Sequence, residues 1–176
     1  LGQQSWNGFE HDVLYMNEGG KGFVNVAHLF GVAFEFDGRN VISDDFDGDG
    51  KMDLLVVEKQ LVEQSRYLHL LKNNWPTKHN WVGVRLAESR PGFSPLGADV
   101  RIVMAGGGEQ VGRLVAGDSL QSQHAAFKHF GLGKQDKIES IEVTWPNGET
   151  TRIADPAINT WHHARPTSAT AAAAAR

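Results

Sequence analysis

The chain has no cysteine among its 176 residues, which excludes disulfides, thiolate metal sites and cysteine nucleophiles while leaving the compartment open. It also has no apolar run approaching the roughly 20 residues that a membrane-spanning helix needs. Its first residues, LGQQSWNGFEHD, lack the basic and apolar regions of a secretory signal. No Asn-x-Ser/Thr sequon occurs, so glycosylation has no support. Cations are outnumbered, 17 Lys and Arg against 21 Asp and Glu, and form no basic stripe. That argues against nucleic acid as a main partner. What remains, 40% hydrophobic and 22% charged, is the composition of a globular chain with one or two cores. The first residue is Leu rather than Met, and the expectation is that an upstream part has been removed or left out.

The most informative segment that is present is SDDFDGDGKMDLLVV at 43–57. Asp45, Asp47, Asp49 and Asp53 stand at positions 1, 3, 5 and 9 of a loop that runs into a β-branched stretch. Carboxylates so close repel one another by roughly 1 to 4 kcal/mol per pair at intermediate dielectric. A hard, oxygen-seeking cation removes that cost, and calcium is the expected one. Gly48 and Gly50 supply the tight backbone. An EF-hand would need a bidentate Glu at position 12 and flanking helices, but that position is Val56, inside an apolar strand. The loop therefore reads as a calcium turn between strands, with Lys51 offering its carbonyl at position 7 and its ammonium to solvent. A solvated acidic turn is the plainer alternative.

Apolar and β-branched runs are short and separated by Gly, Asn and Asp, the pattern of an all-β protein. Strands are expected at 13–17, 22–27, 40–43, 54–58 and 67–72, the first two joined as a hairpin through Asn17-Glu18-Gly19-Gly20-Lys21. Five strands in this length correspond to about one four-stranded propeller blade. A lone blade leaves its faces uncovered, so missing blades or a partner chain are expected to cover them. Polar turn residues and Pro76 mark a boundary. Further strands are expected at 81–86, 99–104, 110–115, 127–130, 138–145 and 149–153, with hairpin turns at 105–108 and 146–148. Val111, Leu114 and Val115 with Ile138, Ile141 and Val143 suggest two apolar faces meeting, as in a small sandwich or barrel. From about Asp155 periodicity is lost, and the end is rich in alanine.

Two family resemblances accompany these readings. The first half resembles the FG-GAP/VCBS repeat of β-propellers through Leu14-Tyr15-Met16-Asn17, Phe23-Val24-Asn25-Val26 and DFDGDGKMDLLV at 45–56. The second half resembles the ASPIC/UnbV domain through Asn80-Trp81-Val82-Gly83-Val84-Arg85-Leu86, Gly97-Ala98-Asp99-Val100-Arg101-Ile102, Ser122-Gln123, His129-Phe130-Gly131-Leu132-Gly133 and Val143-Thr144-Trp145-Pro146-Asn147-Gly148. The segment 88–95 departs from the family pattern as an insertion. The resemblance implies an extracytoplasmic, calcium-binding protein associated with adhesion, with calcium ligands at Asp45, Asp47, Asp49, Lys51 through its carbonyl, and Asp53. It carries over no catalytic residue.

Other constellations are weaker. His124 with His129, and His162 with His163, lack the third ligand of a transition-metal site, and His129 reads as structural. Asp118, Ser119 and His124 can be drawn as a triad, yet no nucleophile elbow accompanies them. Gly106-Gly107-Gly108 has no following Lys-Ser/Thr and reads as a hairpin tip. Trp75, Trp81, Trp145 and Trp161 could stack on sugars, although tryptophans beside turns serve more often as core anchors.

The expected architecture is thus all-β: a terminal propeller blade with a DxDxDGxxD calcium loop (1–75), a small sandwich- or barrel-like β domain (80–154), and an irregular tail (155–176). The expected function is a calcium-stabilised, non-enzymatic protein-interaction or assembly module outside the cytoplasm. Its partners would be proteins or the missing blades, with glycan as a further option, and neither nucleic acid nor a membrane span. The alternatives are a scaffold for an enzyme complex whose catalytic centre lies elsewhere, and a calcium-dependent glycan-binding adhesin.

Overall fold

The computed structural model describes residues 10–59, 65–86, 93–117 and 119–166. The insertion-like residues 88–92, Asp118 of the drawn triad and the alanine-rich end lie outside these described residues. The described part is all-β, with twelve strands and one four-residue helix. Contacts group the chain into two compact units, one of residues 1–43, 53–73 and 119–122, the other of residues 44–52, 74–118 and 123–176. The linear division at 1–75, 80–154 and 155–176 is therefore not how contacts group the chain. The acidic loop belongs with the second unit, and a four-residue turn at 119–122 belongs with the first.

In the first unit, β1 (Tyr15–Asn17) and β2 (Phe23–Asn25) form an antiparallel hairpin with Tyr15 opposite Asn25. Its turn is fixed by the side chain of Asn17, whose Oδ1 accepts the Gly20 N–H at 2.8 Å. Gly19 and Gly20 both take positive φ, which L side chains resist. A short helix α1 (Ala27–Phe30) follows and stops at Gly31 in the left-handed region. The remaining strands, β3 (Asp37–Asp44), β4 (Asp53–Lys59) and β5 (Arg66–Leu71), form a sheet in that order. The described strands of this unit thus make a two-stranded hairpin and a three-stranded sheet.

Within that sheet Glu58 is fully buried on β4 and accepts a 2.7 Å hydrogen bond from His69 Nε2 on β5. Phe34 stacks on the His69 ring at 4.2 Å. Burial raises the Glu58 carboxyl above its ordinary pKa, against the opposing pull of His69.

The second unit has two sheets, β11-β10-β7-β8 and β12-β6-β9. Their strands are β6 (Asn80–Leu86), β7 (Asp99–Met104), β8 (Glu109–Arg113), β9 (Phe127–Gly133), β10 (Ile138–Thr144), β11 (Thr150–Ala154) and β12 (Trp161–Ala164). Val82, Val84 and Leu86 of β6 with Phe130 and Leu132 of β9 join Val100, Ile102 and Met104 of β7 and Ile138, Ile141 and Val143 of β10 in one buried cluster. Two sheets sharing one core make this a sandwich-like unit with open edges, and of the two forms expected from the sequence the barrel is excluded.

Strand period explains most of the core. Val100, Ile102 and Met104 alternate inward along β7. On β10 the phase changes between Ile138 and Ile141, where an irregularity lies in the pairing with β7. A bulge shifts which residues face inward and so brings both isoleucines into the core. The expectation that Val111 and Val115 face this core is corrected: both are exposed and only Leu114 is buried. The expected tail also changes. Residues 161–164 form β12, which lies parallel to β6, and Ala164 and Pro166 are buried. The described turn after β7 is a hairpin tip, closed by the Met104 N–H to the Gly108 carbonyl at 3.1 Å.

Candidate metal site

The loop between β3 and β4 is built by side chains that fold back onto their own backbone. Asp47 Oδ1 accepts the Asp49 N–H at 3.1 Å, and Asp49 Oδ1 accepts the Lys51 N–H at 2.9 Å. These are the Asx turns that acidic residues make two positions on. Asp45 Oδ2 reaches further, to the Gly50 N–H at 3.1 Å. Gly48 and Gly50 have φ of 78° and 86°, and a side chain at Gly50 would overlap the Trp81 indole. At Gly50, then, both the backbone angle and the space demand glycine.

This geometry brings Asp45, Asp47 and Asp49 together, with one carboxylate oxygen from each within 4.8 Å of the others. Asp45 is 7% exposed, and its Oδ2 accepts a second bond from Trp161 Nε1–H at 3.0 Å. Its Oδ1 is buried without a hydrogen-bond partner. A buried carboxylate oxygen in that condition is costly unless a cation or donor meets it. The donor set is all oxygen and anionic, which suits a hard divalent cation of the calcium type better than a transition metal. No histidine joins a metal-sized group among the described residues.

The other two expected ligands are Lys51 and Asp53. Lys51 directs its ammonium toward Asp49 Oδ2 at 3.9 Å rather than to solvent alone. Asp53 opens β4, is 2% exposed, and accepts the Asn73 N–H at 2.8 Å.

An aromatic surround supports the loop, and little in the linear pattern of residues points to it. Trp161 of β12 packs edge-on to Trp81 of β6 and Phe127 of β9, with centroids 5.6 and 5.3 Å away. The Arg85 guanidinium lies 4.4 Å above the Trp161 ring and 3.9 Å from Asp44. His129 stacks on Trp81 at 5.1 Å and donates from Nε2 to the Gly50 carbonyl at 2.9 Å. Burial lowers the His129 pKa, opposed by that carbonyl and by the charge of Asp45. His129 thus holds the loop backbone through its bond to Gly50. Trp145 fills the core, with its Nε1–H on Thr151 Oγ1 at 2.8 Å.

Comparison with known proteins finds one family model and several relatives. Residues 88–171 match the family model described as ASPIC and UnbV. Cartilage acidic protein 1 of Xenopus tropicalis is 34% identical over 133 residues, which cover 73% of this chain and 20% of that protein. The Homo sapiens protein of the same name is 33% identical over 121 residues, 68% of this chain and 18% of its own. The chain spans about a fifth of the length of these relatives. No helix among the described residues is long and apolar enough to cross a membrane. The match supports an ASPIC and UnbV domain at residues 88–171.

Proposed function

We propose that this chain is a calcium-stabilised, non-catalytic interaction module that works outside the cytoplasm. The observation that carries the reading is the buried Asp45, with an unpartnered Oδ1, converging with Asp47 and Asp49. Calcium bound there would remove the repulsion among three carboxylates and tie the loop to Trp161 through Asp45. Its role is structural, since the ion stabilises whichever state binds it. Asp53 and the Lys51 carbonyl would complete the set if the loop is that of an FG-GAP/VCBS propeller repeat.

The interaction role draws on the first unit, where Leu29, Phe23, Leu68, Leu70 and Tyr15 are all more than half exposed. Scattered exposed apolar groups are ordinary, but so many on one small unit suit a surface that another protein covers. Relatives named for cartilage fit an extracytoplasmic setting. The test is thermal unfolding of the metal-stripped chain with and without millimolar calcium, beside Asp47→Ala and Asp49→Ala. The expected result is a midpoint that rises with calcium in the parent only. An unchanged midpoint in the parent, or an equal rise in both variants, overturns the calcium reading.

A further inference from the structure

One feature of the first unit is unrelated to the acidic loop. Arg39 of β3, Lys59 of β4 and Arg66 of β5 supply one cation from each strand of the three-stranded sheet to a cavity of about 220 Å³, which Asn40, Val57 and Gln121 also line. Lys59 and Arg66 are directly opposed in the antiparallel register. Like charges so placed ordinarily destabilise a strand pair. Among the described residues neither has an acidic partner, and Arg39 alone is ion-paired, to Asp37.

The far wall is a turn held in a strained form. Ser119 and Ser122 pair as a bridge, and Ser119 Oγ accepts the Val41 N–H at 3.2 Å, which ties the turn to β3. Between them Gln121 has φ of 53°, a left-handed conformation that suits glycine rather than a long side chain. Strain of this kind persists where the surroundings hold it and collects at binding sites. Here it sets Gln121 at the cavity wall, beside the three cations.

We infer that this cavity binds a tetrahedral oxyanion, a sulfate or phosphate group. Two guanidinium groups and an ammonium from neighbouring strands match such a group by charge and by multiple N–H donors. A bound dianion would remove the repulsion between Lys59 and Arg66 that the bare strand pair carries. The cavity is smaller than the roughly 300 to 1,000 Å³ of sites for drug-sized ligands, so it takes an oxyanion head rather than a whole cofactor. Asn40 and Gln121 can add neutral amide donors.

The experiment follows backbone amide chemical shifts of the full chain, with calcium present, at constant ionic strength. The probes are inorganic sulfate, inorganic phosphate and glucosamine 6-sulfate, with chloride as the control anion. Saturable shifts confined to residues 39–41, 57–59, 66 and 119–122 are expected with the oxyanions and absent with chloride. Tighter binding of the sugar sulfate than of free sulfate would identify a sulfated glycan as the source, and equal or weaker binding a free anion. Lys59→Gln and Arg66→Gln should each weaken binding about tenfold or more, the loss of one charge-assisted contact, with thermal unfolding as the check on folding. Shifts that do not saturate, that chloride reproduces, or that both variants retain overturn the inference. Because the calcium loop is untouched in both variants, failure here is separable from failure of the calcium reading.

Discussion

Asp45 holds two carboxylate oxygens with different fates. Oδ2 is satisfied twice, by Gly50 N–H and by the Trp161 indole, while Oδ1 is buried and bare. The indole bond orients the carboxylate, which makes Trp161 a positioning residue for the proposed ion rather than a ligand. Trp161→Phe keeps one aromatic ring at the position and removes the N–H donor together with part of the ring packing. It should weaken calcium binding about tenfold, the usual effect of losing a partner of a ligand, as read by isothermal titration; unchanged affinity would leave the indole with a packing role alone. The convergence of Asp45, Asp47 and Asp49 is legible in the sequence, because spacing within a loop is local. Trp161 is not, since 116 residues separate it from Asp45 and nothing in a linear pattern joins them.

At the level of elements, β12 holds that indole in position through its parallel register with β6, where Trp161 lies opposite Gly83. A Cβ at Gly83 would overlap the Trp161 ring, so the strand needs glycine for the ring to lie flat on it. Gly83→Ala should displace the indole and reproduce the calcium defect of Trp161→Phe, together with a changed tryptophan emission. Emission and affinity equal to the parent would contradict this coupling.

On the facing sheet, Asp99 of β7 accepts two bonds from Arg113 of β8, at 2.7 and 2.6 Å, which hold its carboxyl below the ordinary 3.8. The folded chain therefore binds fewer protons than the unfolded one near that pKa. Stability from the pair is present above about pH 4 and is lost as the pH falls through the lowered value. Asp99→Asn should melt below the parent at about pH 6, by a margin that shrinks as the pH falls below about 4; a gap that does not change with pH would mean that the pair's charge is irrelevant.

Strands such as β7 were legible because period-2 alternation is a local consequence of the pleat. β12 was not, because WHHA has no alternation and its burial depends on a neighbour far away in sequence. Val111 was misassigned for a related reason: its alternation is strand-like, but β8 is an edge strand and the residue is exposed.

At the scale of the whole molecule, the family match supports an ASPIC and UnbV domain at residues 88–171, and several large apolar side chains of the first unit are exposed. The all-β class was legible from short runs and turn residues. The grouping of residues 44–52 with the second unit was not, because chain order says nothing about which core a loop joins. The central claim is that the loop holds a calcium ion against the aromatic surround. The most direct measurement is terbium luminescence excited through tryptophan, since terbium substitutes for calcium at oxygen sites and Trp161 is bonded to the proposed ligand Asp45. One equivalent of sensitised terbium is expected, displaced by calcium and absent in Asp47→Ala. Emission that calcium does not displace, or that Asp47→Ala retains, would contradict the account.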